Sequence, residues 1–121
     1  MVKKVLIVED SEDVGAALRM LIEFEGYQAV LARTAADGRI MARAARPDLI
    51  IMDIRLPDGD GVDLTRELRG YPETLKTPIV CVSAYGTEVL TEAVSAGCNE
   101  AISKGKFLDS YRPTLRKYLG A

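Results

Sequence analysis

The chain predicts an α/β fold: a single doubly wound (βα)5 domain whose parallel five-stranded sheet has the order 2-1-3-4-5. Three observations lead there. Five short apolar, β-rich runs recur, "KVLIV", "QAVLA", "DLIIMD", "PIVCVS" and a weaker "EAIS". Segments with helical spacing lie between them. The run "LIIM" is apolar on consecutive residues, as in a strand covered on both faces, and β-α-β crossovers give a parallel sheet that double cover. Of the doubly wound orders, 2-1-3-4-5 suits five strands and puts its ligand crevice at their carboxyl ends, near the switch point between strands one and three.

The first strand follows "MVKK"; its apolar stretch is too short for a signal-peptide core and ends in acids, Glu9 and Asp10. In the first helical segment Val14, Ala17, Leu18, Leu21 and Ile22 share a face. Ser11 is its N-cap, Glu12 and Asp13 fall in the first turn where the helix dipole favours carboxylates, and Gly26 stops it. The second helix opens with "TAAD", where Thr34 and Asp37 match a capping box. Helix three covers about Val62 to Leu68, and helix four runs from Thr87 to a stop at Gly97. The fifth is expected to start late, near Asp109 or Ser110, because Pro113 fits a first turn but not a helix interior.

A chain of 121 residues, 48% hydrophobic and 28% charged, reads as one globular domain over 1–121, large enough for a core without disulfides. No apolar run approaches the ~20 residues of a membrane span, so no membrane partner is expected. A net charge of −2 without a basic run argues against nucleic acid. Cys81 and Cys98 form no CxxC motif and read as reduced thiols in a cytosolic core, which places the chain in the cytoplasm. The absence of histidine removes Ser-His-Asp and Cys-His catalysis and histidine-bound zinc, and the chain cannot itself carry phosphohistidine.

The polar residues at the strand ends then matter. Strand one ends in Glu9-Asp10, strand three in Asp53, strand four in Ser83 and strand five just before Lys104, whereas strand two has no acid at its end. In the order 2-1-3-4-5 the strands with these groups are contiguous, so three acids, a hydroxyl and an ammonium converge on one crevice. Hard oxygen ligands without histidine or thiolate suit Mg²⁺, which binds through few carboxylates and a phosphate oxygen. An ionised carboxylate can attack phosphorus without a general base, and the metal, Ser83 and Lys104 could meet the charge that spreads in the transfer.

These motifs, "VLIVEDSED", "PDLIIMDIRLPDGDG", "PIVCVSAYG" and "AVSAGCNEAISKGKF", resemble those of a response-regulator receiver domain, the phosphoacceptor module of two-component signalling, with its flavodoxin-like fold. The resemblance covers essentially the whole chain. It implies Asp53 as phosphoacceptor, Glu9 and Asp10 as the acidic metal pair and the Arg55 backbone carbonyl as a further Mg²⁺ ligand. The expected first contacts are Asp10 and Asp53, with Glu9 acting mainly through water. Ser83 would be the switch hydroxyl, Lys104 the charged partner, and Ala84 the small residue that leaves room for the phosphoryl group. Gly59 and Gly61 fit the tight loop after the acceptor, as ordinary turn glycines also would.

Two positions depart from the family pattern. Lys104 is followed by Gly105 where the family usually has a cis proline, and Ala101 stands where it usually has an aromatic switch. The Lys104–Gly105 peptide is therefore expected to be trans, with Gly105 taking backbone angles closed to other residues. Without a ring at Ala101, the signal is expected in the order or position of helix four.

The implied partners are a histidine kinase or histidine phosphotransferase and a downstream protein that the sequence does not name. With no effector segment after Gly120-Ala121, output is expected through protein contact unless the chain is part of a larger regulator. The domain would be no enzyme beyond promoting its own phosphorylation and dephosphorylation. The alternative is a receiver-like docking module that works without phosphorylation. A haloacid dehalogenase-type phosphatase fits poorly, since Asp10-Ser11-Glu12 lacks that family's second aspartate.

Overall fold

The computed structural model describes residues 2–84 and 87–120, with backbone alone for Thr87 and Glu88. Tyr85 and Gly86, the end of "PIVCVSAYG", lie outside the described residues. The elements run β1 (Lys4–Val8), α1 (Glu12–Phe24), β2 (Gln28–Ala32), α2 (Ala35–Ala45), β3 (Leu49–Asp53), β4 (Arg55–Leu56) and β5 (Gly59–Asp60). They continue with α3 (Gly61–Leu68), β6 (Ile79–Ser83), α4 (Thr87–Ala96), β7 (Glu100–Ser103), α5 (Lys104–Asp109) and α6 (Tyr111–Leu119). Five strands form a parallel sheet in the order β2-β1-β3-β6-β7, and β4 pairs with β5 in a separate antiparallel hairpin. With the hairpin numbered apart, this is the 2-1-3-4-5 order that the sequence predicts.

Successive residues along each strand feed opposite faces, which is why the central strands are apolar throughout. Leu6, Val8, Ile50, Met52, Ile79 and Cys81 join Ala42, Leu64, Leu68 and Ala93, from α2, α3 and α4. Val5, Ile7, Ile51, Val80 and Val82 join Leu18, Ile22, Phe107, Leu115 and Leu119, from α1, α5 and α6. The sheet is thus sealed on both faces, and its carboxyl edge is where polar groups can gather.

The predicted caps form. Ser11 Oγ accepts from Val14 N–H at 3.3 Å, and Thr34 Oγ1 accepts from Asp37 N–H at 3.0 Å. Asp60 caps α3 through Val62 N–H at 2.7 Å. A cap that no local pattern reveals comes from Asp58, whose carboxylate accepts from Ala35 and Ala36 N–H at 2.7 and 3.0 Å and so ties the hairpin to α2. On α1, Ala17 is exposed rather than on the packed face, and Gly15 is buried in its place. A Cβ at Gly15 would come 3.2 Å from Leu31 Cδ2, so the missing side chain lets α1 settle on β2 along its Gly15–Leu18–Ile22 edge.

The C-terminal region corrects the expected late helix. The main helix, α6, does start at Tyr111 with Pro113 in its first turn, but α5 precedes it and begins directly after β7. Phe107 is the reason: it is buried against the sheet, and a helical turn from Lys104 puts it there. Gly105 needs no unusual angles, for it is helical and has no positive φ; all described peptide bonds are trans.

Two side-chain clusters fasten the helices. Glu67 accepts both Arg39 and Tyr71, while Arg43 lies 3.9 Å over the Tyr71 ring and pairs with Glu73 at 2.6 Å, which joins α2 to α3 and the loop after it. Arg69 donates to the carbonyls of Gly97 at 2.9 Å, Thr74 at 2.8 Å and Leu75 at 3.2 Å and to Asn99 Oδ1 at 3.1 Å. Asn99 Oδ1 also accepts from Ile79 N–H at 2.9 Å. Arg69 therefore binds the far end of α4 to the start of β6.

Candidate phosphoacceptor and metal site

Asp53 is the last residue of β3, between β1 and β6, and its carboxylate is buried. Glu9 and Asp10 follow β1, Glu9 buried and Asp10 exposed. One oxygen from each of Glu9, Asp10 and Asp53 lies within 4.8 Å of the others. Lys104, the first residue of α5, brings its Nζ to 2.9 Å from Glu9 Oε1 and 3.4 Å from Asp53 Oδ2. Backbone groups fix the carboxylates from the other side: Ser11 N–H donates to Glu9 Oε2 at 3.1 Å and Arg55 N–H to Asp53 Oδ1 at 3.4 Å.

Burial is the main reason that the Asp53 pKa is raised to about 6; the adjoining Glu9 carboxylate adds to it, while Lys104 and the Arg55 N–H oppose it. Glu9 is also penalised by burial, but Lys104, Asp53 and the Ser11 N–H together hold its pKa below the ordinary value. Of the two buried carboxylates that share one ammonium, Glu9 is shifted toward its charged form and Asp53 toward its neutral one. Three carboxylates against one ammonium leave a formal charge of −2 when all are ionised. Glu9 Oε1 is fully buried and makes no hydrogen bond besides its ion pair with Lys104. An all-oxygen donor set with this charge deficit and a spare buried lone pair fits a hard divalent cation.

Ser83 ends β6 and is buried, with Ser103 of β7 as its register partner; Ala84 after it is exposed. Ala101 is half-buried beside Cys81 in the sheet, packed toward the core that α2, α3 and α4 cover. Gly105 is exposed on α5. The residue whose importance composition and turn patterns do not show is Gly61. A Cβ there would fall 2.2 Å from the Asp53 carbonyl oxygen, and its N–H donates to Ile54 O at 2.7 Å. The hairpin after Asp53 closes onto the backbone of Asp53 itself, which only glycine permits.

Residues 5–110 match the response regulator receiver domain family. The chain is a receiver domain. This receiver is 36% identical over 121 residues to the polar-differentiation response regulator DivK of Brucella anthropi, a match that covers 99% of this chain and 98% of that protein. It is similar in structure to the receiver domain of the sensor histidine kinase PA1611 from Pseudomonas aeruginosa, with a TM-score of 0.90, 26% identity and full coverage of both chains. That crystal structure has a magnesium ion coordinated in its active site cleft. The chemotaxis protein CheY4 of Vibrio cholerae shares the fold, with a TM-score of 0.90 at 24% identity over 98% of this chain and 100% of that one. The receiver is thus a module of two-component signalling with the CheY-like arrangement of strands. Among its described residues no helix is long and apolar enough to cross a membrane.

Proposed function

We propose that this receiver accepts a phosphoryl group on Asp53 from the phosphohistidine of a kinase or phosphotransferase and signals through changed contacts with a downstream protein. The observation that carries the reading is a buried carboxylate at the end of the central strand, with two further carboxylates and one ammonium around it. An Asp53 oxygen attacks phosphorus as the P–N bond to the donor imidazole breaks, and the imidazole leaves with the bonding pair. Lys104 stands against the charge on Asp53 and the incoming phosphoryl oxygens, and Ser83, at the end of the next strand, supplies a hydroxyl at the same rim.

Mg²⁺ would be held by Asp10, Asp53 and the Arg55 carbonyl, with Glu9 mainly through water, and would supply charge neutralisation at the phosphoryl oxygens. Glu9 has a second task, because its carboxylate is the nearer partner of Lys104. The domain promotes only its own phosphorylation and dephosphorylation, spans 1–121 as one unit and works in the cytoplasm. The magnesium in the PA1611 cleft and the response-regulator name of DivK support this reading.

Incubation with acetyl phosphate and Mg²⁺ tests it. One hydroxylamine-labile phosphoryl group should appear on the wild type and none on Asp53→Asn. Equal labelling of both proteins would remove Asp53 from the role. A wild type that takes no label and does not respond to beryllofluoride would instead be a docking module that works unphosphorylated.

A further inference from the structure

Lys104 reaches the crevice by a short path. β7 ends at Ser103, level with Ser83, and the next residue is already the first of α5, with no loop between. Ser103 is extended, with φ −68° and ψ 148°, and its Oγ accepts from Lys106 N–H at 3.2 Å. One turn after Lys104, Phe107 is buried in the core formed by Val5, Ile7, Val80 and Leu115.

A helix of six residues cannot sustain itself in water, since nucleation costs more than so few hydrogen bonds return. Gly105 in its first turn weakens it further. The helix is therefore held from outside, by Phe107 on the core side, by the Ser103 hydroxyl at its start and by the Ser110 hydroxyl, which donates to Lys106 O at 2.9 Å, at its end. In place of the stiff lysine-proline link of the family pattern, the first turn itself sets the direction in which the Lys104 side chain leaves the backbone.

We infer that Ser103 is a positioning residue for Lys104: by capping α5 it fixes the turn that brings the ammonium to Glu9 and Asp53. Ser103 is exposed and is no part of the core, so its removal leaves the sheet intact. The role of Lys104 in phosphoryl transfer rests on the proposed function, but its position does not, and the experiment separates the two.

Metal-free protein is trace-acetylated with acetic anhydride, and each lysine's rate is read by mass spectrometry, with exposed Lys76 as internal reference. Lys104, paired with two carboxylates, should react several-fold more slowly than Lys76 in the wild type. Ser103→Ala should raise the relative rate of Lys104 by about threefold, toward that of Lys76, as for the loss of one N-cap, and Ser103→Asn, which caps as well as serine, should restore protection. A second arm measures beryllofluoride binding with Mg²⁺: Ser103→Ala should weaken it in the wild type and have no further effect on Lys104→Ala, because the cap acts through the lysine. Unchanged Lys104 protection in Ser103→Ala, or a loss that Ser103→Asn does not restore, overturns the inference. A wild type that binds no beryllofluoride overturns the proposed chemistry instead, while the labelling still decides whether Ser103 places Lys104.

Discussion

Replacing Gly61 by alanine tests whether the hairpin must close on Asp53. The new Cβ would stand 2.2 Å from the Asp53 carbonyl oxygen and 3.0 Å from both the Asp53 carbonyl carbon and Ile54 Cα. To reach ordinary contact the two backbone segments must separate by about 1 Å, which breaks the 2.7 Å bond from Gly61 N–H to Ile54 O. Loss of that bond costs about 1 kcal/mol. Displaced backbone adds about 1–3 kcal/mol, so the total is about 2–4 kcal/mol. In a domain of this size that corresponds to a fall in Tm of roughly 10 °C. Gly59→Ala is the control, because its Cβ would meet only Ala35 Cβ at 3.6 Å and its cost should stay within about 0.5 kcal/mol. Thermal melts followed by circular dichroism compare the two. A Gly61→Ala protein that melts with Gly59→Ala would refute the close approach.

The raised Asp53 pKa makes the metal-free fold less stable as pH rises. The unfolded aspartate loses its proton near 3.8 and the folded one near 6, so across that interval the folded state binds more protons and stability falls; above it the penalty is complete. Asp53→Asn should therefore stabilise the metal-free protein by on the order of 1–3 kcal/mol at pH 7.5 and by little at pH 3.5, as read by urea unfolding. The same gain at both pH values would show that the penalty is not electrostatic. Gly105→Ala should stabilise by about 0.5–1 kcal/mol, since Gly105 is helical and a Cβ there meets nothing within 4 Å. A lower melting temperature would mean that Gly105 does need angles closed to alanine.

The parts of this fold that the sequence discloses are those with local causes. Strand order follows from apolar runs and crossovers, and the caps at Ser11 and Thr34 follow from residues within one turn of the N–H that they bind. Asp58 escapes such a reading because its target is 22–23 residues away and meets it only once the hairpin folds over α2. Gly61 escapes it for the same reason, since an ordinary turn glycine and one pressed against a neighbouring carbonyl look alike in sequence. At Lys104–Gly105 the sequence departs from the family pattern, but what decides that the segment is helical is the burial of Phe107, a long-range contact that local spacing does not contain. The site residues could be gathered on one edge by topology alone. That Lys104 lies closer to Glu9 than to Asp53 depends on side-chain reach, which no spacing rule contains.

Unlike Arg39 and Arg43, which pair with carboxylates, Arg69 bonds to neutral partners: three carbonyls and one side-chain amide. A guanidinium stays charged throughout the range in which proteins fold, and these oxygens neither titrate nor attract counter-ions. Acid that protonates Glu67 would loosen the Arg39 zipper, and salt would screen it, but neither has a group to act on at Arg69. The end of α4 away from the crevice is consequently moored independently of the surrounding solution.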